Sequence, residues 1–227
     1  MLHRLRLIPT QSADGPTNMA VDEYMLALAQ AGDAIFRCYT WNPPTLSLGY
    51  FQTATERLRE PAWRVLPWVR RTTGGGAILH GDDLTYALAL PVQLAQKYRP
   101  ADWHCRLHRF MAELLGQQGV PVQVLGGERP QPKDLGYLCF AVPQPGDVLL
   151  DGQKIIGGAQ RLKHGALLQH GSMYAPAQDV MQKHLAKAMA SFLGLELCEQ
   201  PWSASEWQLI NQIAAEKFRL ADWNAKR

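Results

Sequence analysis

The run Arg70-Arg71-Thr72-Thr73-Gly74-Gly75-Gly76-Ala77-Ile78-Leu79-His80 sets two guanidinium groups and a glycine triplet between a strand end and a second apolar strand. Without Cβ atoms, Gly74, Gly75 and Gly76 let main-chain N–H groups approach a ligand closely and adopt positive φ. An acyl carbonyl or a phosphate could then lie against them. The adjacent arginines suit an anionic group. The competing explanation is a glycine-rich turn that holds no ligand. The run contains neither GxxxxGK[ST] nor a GxGxxG entering a helix, so it gives no support to P-loop or dinucleotide chemistry.

A second run, Asp151-Gly152-Gln153-Lys154-Ile155-Ile156-Gly157-Gly158-Ala159-Gln160, places Lys154 at a strand start ahead of a glycine pair. A lysine in that position commonly keeps a sheet edge soluble. Cys139, in Leu138-Cys139-Phe140 before a Pro-containing loop, stands 15 positions upstream of Lys154. Free cysteines are often inert, buried hydrophobes, but a cation beside the thiol favours the thiolate, which is the nucleophile. His104 and His108 are four apart with Cys105 between them. Lacking HExxH or a clear third ligand, they are expected on an ordinary helix surface, and no metal site is expected. His80, His164 and His170 are of more interest by position.

Positioning these groups requires a scaffold whose elements can be read from apolar spacing. A short strand is expected at 5–9, then a helix capped by Thr17 or Asn18 that runs through Val21, Met25 and Leu28 to Gly32. Strands are expected at Ala34–Tyr39, Thr45–Leu48, Trp68–Arg71 and Thr85–Leu90, with Asn42-Pro43-Pro44 as a turn and a polar segment at 56–60. Trp103–Gln118 reads as a helix with Leu107, Phe110, Met111, Leu114 and Leu115 on one face. Strand-like runs follow at Val120–Leu125, Asp147–Leu150, Lys154–Ile156 and Ala166–Met173, the last three suggesting a meander. Helices close the chain at Ala177–Phe192 and after Ser203, whose spacing to Glu206 is that of a capping box. Strands clustered between helices, not alternating with them, predict an α+β fold with a mixed or antiparallel sheet flanked by helices.

With 227 residues and 47% hydrophobic composition, a single unit spanning 1–227 with a sizeable core is expected. The net charge of +3 comes from scattered Lys and Arg, so nucleic-acid binding is not expected, while docking of acidic protein partners is allowed. The four cysteines are widely spaced without a CxxC pair, which fits a reducing compartment. The opening residues carry no apolar core long enough for a signal peptide, and no apolar stretch of membrane-spanning length occurs. A cytoplasmic protein with no membrane association is the expectation.

Together the runs resemble the lipoate-protein ligase A and octanoyltransferase family, within the biotin and lipoate ligase superfamily. The likeness covers Asn18-Met19-Ala20-Val21-Asp22-Glu23, Trp41-Asn42-Pro43-Pro44-Thr45-Leu46-Ser47-Leu48-Gly49-Tyr50-Phe51-Gln52, the arginine-glycine run through His80, the segment from Gly152 to Gln160, and Gln169-His170-Gly171-Ser172. It implies a biotin/lipoate protein ligase-like catalytic domain in which the glycine run and the lysine strand line an acyl tunnel. It also implies that Lys154 matches the family's invariant lysine. The cysteine-to-lysine interval is similar to that of the cysteine-dependent octanoyltransferases; ATP-dependent ligases generally lack that cysteine. Gly81-Asp82-Asp83 stands where ligases tend to carry Gly-Asn, and an accessory ligase domain is not expected after the last helix.

The implied chemistry is a two-step acyl transfer. Cys139 takes octanoyl from acyl carrier protein, and a lysine of a lipoyl domain or H protein then takes it from the enzyme, with no cofactor. Lys154 favours the thiolate in this scheme. Main-chain amides of the glycine run or of Gly157, Gly158 and Ala159 serve the oxyanion, and Arg71 and His80 line the substrate site. An ATP-dependent lipoate ligase and a non-catalytic acyl-binding subunit are the alternatives.

Overall fold

The computed structural model describes residues 3–127 and 137–226. Its strands are β1 (Arg4–Ala13), β2 (Ala34–Trp41), β3 (Thr45–Leu48), β4 (Trp68–Arg70), β5 (Ile78–His80), β6 (Leu84–Leu90), β7 (Gln123–Val124), β8 (Val148–Leu150), β9 (Gln153–Lys163), β10 (Ala166–Met173) and β11 (Glu196–Glu199). The helices are α1 (Gly15–Ala31), α2 (Pro61–Arg64), α3 (Val92–Ala95), α4 (Pro100–Gln117), α5 (Ala177–Leu193), α6 (Ala204–Ile213) and α7 (Ala221–Asn224).

An eight-stranded sheet runs in the order β11-β1-β2-β6-β10-β9-β8-β7, and β4-β3-β5 make a separate three-stranded sheet. β11, β1 and β2 are parallel neighbours, while the pairings from β2 across to β7 are antiparallel. This is the α+β class with a mixed sheet that the sequence predicts, and β8-β9-β10 is the expected meander.

Burial on both faces of the central strands dictates the layers. In β6, Tyr86, Leu88 and Leu90 face one core and Ala87 and Ala89 the other, and the whole strand is buried. A strand apolar on both faces must be covered on both. Met19, Met25 and Ile210 of α1 and α6 cover one side, and Leu107, Met111, Leu185 and Met189 of α4 and α5 the other. Among the described residues no helix is long and apolar enough to cross a membrane.

Several boundaries differ from those predicted. α1 is capped by Asp14, whose carboxylate accepts from Thr17 N at 2.9 Å, with Pro16 in the first turn where its missing N–H costs nothing. Asn18 is not a cap. Its buried amide donates to Ala13 O and Thr40 O, both at 3.0 Å. β9 extends to Lys163, well past Ile156, because β10 pairs with it from Ile156 to Lys163. The run at Val120–Leu125 yields only Gln123–Val124 as strand, and β11 has no counterpart in the sequence prediction. The Ser203–Glu206 capping box forms as expected.

Candidate active site

β9 brings Lys154, paired across from Leu149 of β8, to where the Cys139 segment passes. Lys154 Nζ lies 3.4 Å from Cys139 Sγ, donates to Cys139 O at 3.1 Å, and pairs with Asp147 Oδ2 at 2.8 Å. The Phe140 ring centroid stands 4.7 Å from the same ammonium. Both partners of the Lys154–Asp147 pair are buried, with 1% and 3% side-chain exposure. A buried ion pair is a poor source of stability, since desolvation consumes most of its Coulombic gain. It is better explained by what the ammonium does beside the sulfur.

The glycine run packs directly on the cysteine segment. Ala77 N donates to Tyr137 O at 2.7 Å and Cys139 N to Ala77 O at 2.8 Å, giving a parallel bridge between Ala77 and Leu138. Gly76 has no room for a side chain, because a Cβ there would lie 2.9 Å from both Cys139 N and Tyr137 O. Gly75 has φ +89° and is backed by Arg71, whose Nη2 would be 3.1 Å from any Cβ.

The two arginines, expected together near an anion, have different positions. Arg70 is fully buried and turned into the protein, with Nε donating to Asn224 O at 2.9 Å and Nη1 to Gly49 O at 2.9 Å and Gln52 O at 2.7 Å. Arg71 braces the glycine run from behind, Nη2 donating to Gly74 O and Gly76 O at 2.7 Å and Nη1 to Ser47 O at 3.0 Å. Burial brings the Arg71 guanidinium down to about 10 from its ordinary range.

A cavity of about 520 Å³ opens over these groups, lined among others by Gly74, Gly75, Gly76, Cys139, Lys154 and Ala159. That size suits a small-molecule or acyl-chain site. Its lining includes Gly158, Ala159 and Gln160 of β9, beyond the point where β8 stops pairing at Ile156. Among the described residues no strand pairs with β9 on that side beyond Ile156, and Gly158 and Ala159 line both the cavity and a narrower inner chamber, whereas Gly157 sits beneath the Lys154 side chain. The inner chamber also touches Cys139, Arg71, Ser47, His80 and His170.

The histidines separate by environment. His80 is stacked on Trp41 with ring centroids 3.8 Å apart, its Nδ1 2.8 Å from Asp83 Oδ2 and its Nε2 2.8 Å from Ser47 Oγ. Burial pushes the imidazole below its ordinary range, although Asp83 pulls the other way. His170 bridges Asp22 Oδ2 at 2.7 Å and Thr73 Oγ1 at 2.6 Å, so it too reaches the glycine run. His164 lies exposed in the β9–β10 turn, away from the site.

The surface reading of His104 and His108 is overturned, because both are buried on the sheet-facing side of α4. Their ring nitrogens and an Asp147 carboxylate oxygen lie within 4.8 Å of one another, a spacing that a metal ion could use. The protein already engages these atoms. His108 bonds Gly146 O at 2.6 Å and Tyr86 Oη at 2.9 Å, and Asp147 Oδ2 takes Lys154 and Gln144 N. The cation next to this cluster is the Lys154 ammonium. Asp147, Asp83, Asp22 and Ser47 were not among the site residues expected from sequence, although Asp147 stands in the Cys139-to-Lys154 stretch that carries the family resemblance; what marks them is the partner each one finds in space.

Comparison with known proteins accords with this geometry. An octanoyltransferase LipM of Moorella thermoacetica is 35% identical over 213 residues, covering 84% of this chain and 77% of its own. One of Clostridioides difficile is 26% identical with full coverage of both chains. The crystal structure of a lipoate-protein ligase A bound with ATP shares the fold at a TM-score of 0.76 and 21% identity, over 99% of each chain. The family model for the lipoyl protein ligase A/B catalytic domain matches residues 14–193, a span that holds Cys139, Lys154 and the whole glycine run; the chain belongs to that family.

Proposed function

We propose that this chain is an octanoyltransferase of lipoate assembly that carries the acyl group on Cys139. The observation that carries the reading is the 3.4 Å approach of Lys154 Nζ to Cys139 Sγ at the wall of an acyl-sized cavity. Relatives named octanoyltransferase LipM align along most of the chain, which favours acyl transfer over the ATP-dependent ligase and the non-catalytic subunit.

In the first step the Cys139 thiolate attacks the carbonyl carbon of an octanoyl thioester on acyl carrier protein. A C–S bond forms, the carrier's thiolate leaves, and it takes up a proton. In the second step a neutral lysine ε-amine of a lipoyl domain or H protein attacks the enzyme thioester. The C–N bond forms, the C–S electron pair returns to Sγ, and the surplus amine proton passes to solvent. Main-chain amides of the Gly74–Gly76 run or of the β9 edge at Gly157 to Ala159 stabilise the oxyanion in both steps. Arg71 and His80 shape the acyl-binding chamber. No cofactor enters the scheme, and a reducing cytoplasm keeps the thiol available.

Intact-mass measurement after mixing with octanoyl acyl carrier protein, without ATP or acceptor, tests the reading. One octanoyl group is expected on Cys139 and none on Cys38, Cys105 or Cys198, with discharge when acceptor is added. A Cys139→Ser variant that still transfers octanoyl, or a requirement for ATP, would return the chain to the ligase branch.

A further inference from the structure

Lys154 contacts the Cys139 sulfur, Asp147 pairs with Lys154, and Arg71 lines the same inner chamber as Cys139. Lys154 is the nearer cation, but its ammonium is 2.8 Å from Asp147 Oδ2 and only 3.4 Å from Sγ, so its charge is already matched by a carboxylate as close as the sulfur. Arg71 differs. It is 2% exposed, and its donors meet only uncharged oxygens, those of Ser47, Gly74 and Gly76. Its Nε has no hydrogen-bond partner, and among the described residues no carboxylate lies within ion-pair distance of it. A buried cation without a counter-ion is costly and is retained where an anion arrives.

The geometry brings that cation to the cysteine. The Gly76 carbonyl that receives Arg71 Nη2 at 2.7 Å belongs to the glycine packed on Cys139 N and Cα, and Arg71 and Cys139 line the same inner chamber. Burial lowers the Arg71 guanidinium, and a negative charge on Cys139 is the foremost influence drawing it back up. The other titratable groups facing this region are Tyr39, His80 and His170, which line the inner chamber with Arg71 and Cys139, His104 of α4, which lines the outer cavity, and Tyr174 after β10, whose phenol is raised mainly by burial and secondarily by Asp83 and Cys139. Arg70 lies behind Arg71 and repels it.

We infer that Arg71, not Lys154, supplies the net positive charge that holds Cys139 as a thiolate, while Asp147 cancels the charge of Lys154 and leaves that ammonium as a hydrogen-bond donor to the sulfur and to Cys139 O. The inference rests on the nucleophilic role proposed for Cys139. Arg71 and Asp147 act through the cysteine and are positioning residues.

The test is the pH midpoint of Cys139 alkylation by iodoacetamide, followed by peptide mapping in the full chain. Lys154→Met leaves the Asp147 carboxylate without its cation, held by Gln144 N alone, and raises the midpoint by about one unit or more. The double variant Lys154→Met/Asp147→Asn removes a pair of no net charge together with the hydrogen bond to the sulfur, and brings the midpoint back more than half-way from that of Lys154→Met toward the wild-type value. Replacing both members of a buried pair by uncharged groups of similar volume is commonly tolerated, so this variant should fold. Arg71→Met raises the midpoint by about one unit or more, and Arg71→Lys restores most of that shift. A double variant whose midpoint stays nearer that of Lys154→Met than that of the wild type makes Lys154 the deciding cation and overturns the inference. So does a folded Arg71→Met variant with an unmoved midpoint. Should Arg71→Met fail to fold, the double variant, which leaves Arg71 in place, decides alone. Because no acyl donor is present, failure here is distinct from failure of the acyl-transfer reading, which Cys139→Ser decides.

Discussion

The Lys154 side chain lies over Gly157, three residues along its own strand, so closely that a Cβ on Gly157 would collide with Lys154 Cε and come within 2.6 Å of Nζ. The glycine is therefore part of how the ammonium is aimed. Gly157→Ala should keep the fold, since the position lies in the regular pairing of β9 with β10, and lose about tenfold or more in octanoyl transfer as Lys154 is pushed off Cys139. Circular dichroism together with a single-turnover acylation rate checks this, and a folded variant of normal rate would show that the Lys154–Cys139 contact is dispensable.

Gly75 has φ +89°, and a side chain there would press on Arg71 Nη2. A β-branched residue held at that φ costs about 1–3 kcal/mol, so Gly75→Val should be destabilised and inactive in transfer. Turnover at the wild-type rate, with normal denaturant stability, would mean that the glycine run is an ordinary turn.

His108 gives a pH signature to stability. Burial pushes its imidazole down to about 4, with the Gly146 carbonyl partly opposing. The unfolded chain takes up this proton near the ordinary histidine value and the folded chain only near 4, so the contribution is present at neutral pH and is lost as pH falls through that interval. Going from pH 7 to pH 5 should cost about 2 kcal/mol through this residue alone. Urea unfolding at both pH values should show a smaller difference in His108→Gln than in the wild type. Equal differences would place the imidazole outside this linkage.

Asn224 is a buried polar residue whose side-chain oxygen accepts Arg70 N at 2.8 Å and whose amide donates to Phe218 O at 2.8 Å and Leu220 O at 3.1 Å. Asn224→Ala strands these groups, which should cost about 2 kcal/mol and lower Tm by about 4–8 °C in a chain of this size. Transfer activity should fall as well, because Arg70 ties the turn at Gly49 to Gln52. Calorimetry and a transfer assay run on the same preparation measure both effects.

How much of this could be read in the sequence depended on how locally each interaction is written. Cys139, Lys154 and the glycines stand in runs whose residue types already carry the chemistry, and the structure brings those runs to one cavity. Arg70 was read as facing an anion because its partner Asn224 lies 154 positions away, and nothing nearby in the chain reveals it. His104 and His108 did leave a signal. They fall at helical spacing with Met111 and Leu115 on the buried stripe of α4, where an imidazole must find a partner instead of solvent. The strand boundaries of β9 were underestimated because its glycines weaken strand propensity, and only its partner β10 carries the ladder on to Lys163.

The bonds from α7 to Arg70 also set an order of events during synthesis. Trp223 Nε1 donates to Arg70 O at 2.8 Å, and Asn224 takes the N–H and the guanidinium of the same residue. A nascent chain that has released the cysteine, the lysine and the glycine triplet from the ribosome still lacks the segment that anchors Arg70. Translation must reach residue 224 before that anchor can close, so the Gly49 to Gln52 turn that Arg70 ties down is completed by one of the last segments to be made.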